Sequence, residues 1–69
     1  MPFIQIALNG QPQQIPEGSS VADLLALSGA DRQQVAVVVN EHIVRPDERQ
    51  GYPLHHNDQV DVLVFAGGG

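Results

Sequence analysis

One stretch of the chain has a helical pattern, and it is too short to stand alone. "SVADLLALSG", Ser20–Gly29, opens on a residue suited to N-capping, with Asp23 three positions on to favour the positive end of the helix dipole. Val21, Leu24, Leu25 and Leu27 form its apolar stripe, and Gly29 ends it. An isolated helix of this length is marginal in water, so this one must bury its stripe against a sheet. The rest of the chain has to supply that sheet.

It offers five strands. "FIQIAL" (Phe3–Leu8) alternates around Gln5, and Asn9-Gly10 is a strong hairpin signal because both positions tolerate positive φ. "QPQQI" returns as a second strand, which Pro12 confines to an edge by removing a donor. "VAVVV" (Val35–Val39) is rich in β-branched residues and reads as a buried central strand; "NEH" turns the chain and "IVR" pairs back briefly. Pro46 starts an irregular stretch with one helical turn at 47–50, and "QVDVLVFA" (Gln59–Ala66) is the last strand. The order β-β-α-β-β-β implies an α+β domain with two hairpins on one helix. Placing the last strand beside the first, between the hairpins, buries both apolar strands. That arrangement is the β-grasp, or ubiquitin-like, fold: a mixed sheet of four to five strands packed on one helix.

At 69 residues the chain is one domain with a small core, expected as a globular unit over 1–66 and a flexible glycine tail over 67–69. A deep ligand cavity would consume that core, so function is expected on the surface or at an end. There is no cysteine, which removes disulfides, thiol nucleophiles and a protein-bound persulfide. No long apolar run and no signal peptide is read, so the expectation is a soluble cytoplasmic protein away from membranes. The net charge of −5 repels a phosphate backbone, so no nucleic acid partner is expected; a basic protein surface suits it better. Its basic residues are Arg32, Arg45 and Arg49, with no lysine.

Alternation divides the last strand into two faces. Val60, Val62 and Val64 should meet the helix, while Asp61, Leu63 and Phe65 point to the open face. In the first strand Ile4, Ile6 and Leu8 make the core face, and Phe3, Gln5 and Ala7 point outward. If the two strands are neighbours, Phe3, Ala7, Leu63 and Phe65 form an exposed apolar patch, a candidate partner-binding site.

The strand leads straight into Gly67, Gly68 and Gly69. Three extended residues reach about 10 Å, and without Cβ atoms they can pass a narrow channel. At their end is the α-carboxylate of Gly69, ionised at neutral pH and a poor electrophile. Chemistry there needs outside activation, such as acyl-adenylate formation from ATP. No catalytic residue set is read within the chain. Ser19, Ser20 and Ser28 sit at helix ends, where capping explains them. His55, His56 and Asp58 lack further ligands at fitting spacing, so no metal is assigned. Arg45 and Arg49 read as surface ion-pair partners.

The NG hairpin, "VADLL" (Val21–Leu25), "VAVVVNEHIV" (Val35–Val44) and above all "NDQVDVLVFAGGG" (Asn57–Gly69) resemble the bacterial ubiquitin-like sulfur carriers of the MoaD/ThiS family, closest to the thiamine-biosynthesis branch. The resemblance covers the whole chain. It implies a carrier rather than an enzyme, with no bound cofactor and a monomer when free. By that resemblance an E1-like adenylyltransferase adenylates the Gly69 carboxylate with ATP, and a sulfur-donating persulfide protein converts it to a thiocarboxylate. Thiazole synthase would then receive the sulfur. Gly68 would complete the terminal diglycine, with Gly67 as lead-in. A molybdopterin-synthase small subunit shares fold and diglycine, and a β-grasp interaction module with an inert tail is the reading from a different class.

Overall fold

The computed structural model describes residues 2–29 and 34–65. Ala66 and the Gly67–Gly69 segment, read above as a flexible tail, lie outside the described residues. Strands β1 (Phe3–Leu8), β2 (Gln11–Pro16), β3 (Val35–Val39), β4 (His42–Val44) and β5 (Gln59–Val64) form one mixed sheet in the order β2-β1-β5-β3-β4. Among the described residues one α-helix, α1 (Val21–Ser28), packs on one face, and a 3-10 segment, Pro46–Gly51, precedes β5. This is the β-grasp arrangement, with β5 parallel to β1 and antiparallel to β3.

Local chemistry accounts for the elements. Ser20 and Asp23 make a reciprocal capping box, with the Ser20 hydroxyl accepting from the Asp23 N–H at 3.2 Å and the Asp23 carboxylate from the Ser20 N–H at 2.9 Å. Gly29 closes the helix at φ 77°, in the left-handed region where glycine carries no Cβ penalty. The first hairpin turns on Asn9 and Gly10 at φ 51° and 83°; the second on Asn40 and Glu41 at φ 50° and 69°. A glutamate there adopts a backbone conformation that costs an L-residue about 1–2 kcal/mol.

Val21, Leu24 and Leu25 of α1 meet Ile4 and Ile6 of β1, Ile15 of β2, Val35, Val37 and Val39 of β3, Val44 of β4 and Val60 of β5 in one core. Leu27, expected in the helix stripe, is 67% exposed. At 3.6 residues per turn it stands about 120° around the helix from Val21, past the edge of the buried face. Leu54 fills the core instead. It comes from the irregular stretch before β5, fixed by its N–H donating to the Ser19 carbonyl at 2.8 Å, while Val21 donates to Tyr52 at 2.9 Å.

The arginines are not bound as surface ion pairs among the described residues. Arg49 donates through a terminal guanidinium nitrogen to the Val35 carbonyl at 2.7 Å, and the Arg45 backbone N–H donates to the Glu48 carboxylate at 3.0 Å. The hydroxyls of Ser19 and Ser28 donate to the Pro16 and Leu25 carbonyls at 2.7 and 3.1 Å, local bonds that hold the two approaches to α1.

Candidate functional site

The last strand is held in mid-sheet by an uneven set of bonds. On its β3 side the ladder runs its full length, from Val39 opposite Val60 to Val35 opposite Val64, and the Phe65 N–H adds a bond to the Gln34 carbonyl at 3.0 Å. On its β1 side the ladder is short, with only Ala7 opposite Gln59 and Leu8 opposite Val60. Side chains and loop residues extend it at both ends. Upstream, Asn57 donates to the Gln5 carbonyl at 2.7 Å, Ala7 donates to the Asp58 carbonyl at 2.9 Å, and the Gln5 N–H donates to Nδ1 of His56 at 3.1 Å. Downstream, the Asn9 N–H donates to the Val60 carbonyl at 2.8 Å, and its side-chain carbonyl accepts the Val62 N–H at 2.7 Å.

Asn40 clamps the start of β5 from the other side. Its N–H donates to the Gln59 carbonyl at 2.8 Å, and its side-chain oxygen accepts the Gln59 N–H at 2.9 Å. Its side-chain nitrogen donates to Asp58 at 2.9 Å. Asp58 in turn accepts the His55 N–H at 2.8 Å, with the His55 ring 3.9 Å away. His55, His56 and Asp58 therefore organise the loop that delivers β5. The two asparagines sit at positive φ in the two hairpin turns, where a short amide side chain can fold back onto the neighbouring strand.

Burial fades along β5. Val60 is 1% exposed, Val62 is half-buried, and Val64 is 53% exposed although it shares their face. Val64 was expected against the helix; it lies opposite Val35 at the end of the β3 ladder but is not itself among the core residues. The opposite face carries Leu63 at 56% and Phe65 at 57% exposure.

The neighbours of Leu63 and Phe65 differ from those expected. Strands β1 and β5 are adjacent, but their stagger is large. Leu8 lies opposite Val60, so Phe3 and Leu63 are eight positions apart along the sheet, about 26 Å at strand rise. Ala7, opposite Gln59, is four positions from Leu63 and only half-exposed. Phe3, opposite Pro16 and itself exposed, belongs to the far end. The residues beside Leu63 come from the second hairpin. Ala36 lies opposite Leu63, Val38 opposite Asp61, and Ile43 opposite Val38, all on the open face. Ile43 is 71% exposed, so the apolar surface at this end is Leu63, Phe65, Ala36, Val38 and Ile43, bordered by Asp61. Ile43 was legible in "HIV": Val44 faces the core and its predecessor must face away.

This surface ends four residues before Gly69. Among the described residues no three His, Cys, Asp or Glu side chains gather as a metal site, and no helix is long and apolar enough to cross a membrane.

Comparison with known proteins gives the same direction. The model of the ThiS family matches residues 6–69. The crystal structure of a thiamine biosynthesis protein (ThiS) from Geobacter metallireducens superposes with a TM-score of 0.79 at 29% identity, covering 96% of this chain and all of that one. A thiazole synthase from Magnetococcus marinus is 33% identical over 66 residues, which is 96% of this chain but only 20% of that protein. The chain thus spans about a fifth of the length of that curated relative.

Proposed function

Because the chain belongs to the ThiS family, the sulfur carriers of thiamine biosynthesis, we propose that Gly69 is the atom-carrying residue and that the end of β5 is the docking handle for its partners. The observation that carries this reading is the position of the apolar surface. Leu63 and Phe65 are exposed on a strand anchored upstream by Asn9 and Asn40, four residues from the Gly69 carboxylate. An enzyme gripping that surface holds the carboxylate within about 15 Å of the grip, the reach of four extended residues.

In this cycle an E1-like adenylyltransferase joins the Gly69 carboxylate to the α-phosphate of ATP, and pyrophosphate leaves. The terminal sulfur of a persulfide attacks the acyl carbon, and AMP leaves. A second thiol cleaves the resulting acyl disulfide at its S–S bond, so the chain keeps a thiocarboxylate and the thiols leave as a disulfide. Thiazole synthase receives the sulfur. The similarity to a region of a thiazole synthase supports that partner, since fusion of carrier and acceptor raises their effective concentration. The chain then acts as a co-substrate, with ATP bound by the activating enzyme and no cofactor of its own. It has no cysteine to hold sulfur elsewhere, and no lysine amine to intercept its own activated tail. The acidic net charge favours a basic docking surface on each partner.

The test is intact-mass analysis of the chain co-produced with its activating enzyme and persulfide donor. The expected species is heavier by one oxygen-to-sulfur exchange, localised to the C-terminal peptide. Its absence under sulfur-replete conditions would remove Gly69 from this role.

A further inference from the structure

We infer that the β1-facing edge of β5 at Val62–Val64 is a strand-addition site, taken by an extended segment of the thiazole synthase. The inference rests on the partner reading above and goes beyond the apolar surface. Even-numbered residues of β5 direct their amides and carbonyls toward β1: the Val60 carbonyl accepts from Asn9, and the Val62 N–H donates to the Asn9 side chain. Odd-numbered residues face β3, as the Phe65 bond to Gln34 shows. Pairing with β1 stops at Leu8 and Val60, and Asn9 reaches one step further. Past it, the Val62 carbonyl and both backbone groups of Val64 have no partner among the described residues.

The outer edges of the sheet are blunted in ways that this one is not. β2 carries Pro12 and Pro16, and β4 is three residues long with Pro46 two positions beyond. The β5 overhang holds only Val62, Leu63, Val64 and Phe65, with neither proline nor charge. An unblocked edge of this kind templates another strand. The sequence after it argues for an enzyme strand as the occupant. From Gly67 to Gly69 there are no side chains to recognise, so a protein that positions this segment reads its backbone. A strand paired with Val64 starts the alignment of the chain toward the Gly69 carboxylate inside the folded domain.

Amide exchange of the 15N-labelled chain, free and bound to its thiazole synthase, tests this. The Val64 amide should exchange without protection in the free chain and slow by about tenfold or more in the complex, while the Val62 amide, already bonded, changes little. Replacing the Val64 amide by an ester through chemical synthesis removes that donor and also weakens the Leu63 carbonyl, which faces β3, so a matched ester at Val62, whose donor is already bonded to Asn9, serves as the control. The Val64 ester should lower the Tm of the free chain only slightly and weaken binding about 3- to 10-fold. Equal Val64 exchange in both states, or undiminished affinity of the Val64 ester, overturns strand addition while leaving the carrier reading intact. Protection of Val64 that grows with the concentration of the free chain assigns the edge to a second copy and also overturns it. If no complex forms, the partner reading falls and strand addition with it.

Discussion

The two ends of β5 are built differently. At its start, Gln59 and Val60 are bonded on both sides, to β1 and to the Asn40 turn, and Val60 is buried in the core. At its end, Leu63, Val64 and Phe65 are held from the β3 side alone and all three are more than half exposed. Val60 and Val64, one at each end, are the same residue type on the same face. What separates them is how far the neighbours extend: β1 stops at Leu8, and the strand continues past it. The upstream half is tied into the fold, and the downstream half leaves its side chains and one backbone edge exposed.

The contrast can be broken at several points. Deleting Gly68 and Gly69 should abolish thiocarboxylate formation and leave the Tm within a degree or so, because glycine has no side chain to bury; retained sulfur transfer by the truncated chain would show an inert tail. Val60→Ala should cost about 2 kcal/mol through lost burial and a residual cavity, whereas Val64→Ala should cost less than about 0.5 kcal/mol. Chemical denaturation of both variants checks this, and equal losses would erase the difference between the two ends. Leu63→Asp or Ile43→Asp should weaken partner binding by about tenfold or more with the fold intact, while Phe3→Asp at the far end should change it less than about twofold. Asn9→Ala should cost about 1 kcal/mol, having lost the acceptor for the Val62 N–H. Glu41→Gly should stabilise by roughly 0.5–1 kcal/mol, because glycine relieves the positive φ of the second turn. Thermal unfolding reads both.

How far the sequence could be read follows the same physical line. Features fixed by near neighbours in the chain were legible: the Ser20 N-cap with Asp23 in the first turn, the Gly29 stop, the Asn9-Gly10 turn and the strand over Val35–Val39. Strand order was legible too, because only one arrangement buried both apolar end strands. The stagger of β5 against β1 was not. A hairpin inherits its register from its turn, but a parallel pair inherits it from whatever lies between, here His56, Asn57 and the Asn9 side chain. That stagger moved Phe3 and Ala7 away from Leu63 and brought in Ile43. Leu54 escaped notice because an irregular segment has no period to reveal its one buried side chain. Leu27 looked buried because its place in the stripe rests on composition, while its angle on the helix puts it outside.

The central claim is that one end of β5 belongs to the fold and the other to a partner. Titration of the 15N-labelled chain with its thiazole synthase, followed by backbone chemical shifts, tests it most directly. Perturbations should gather at Ala36, Val38, Ile43 and 61–65, and leave Phe3, Ala7 and the 55–58 loop unmoved. Perturbations centred on Phe3 and Ala7, with Leu63 and Phe65 unchanged, would contradict it.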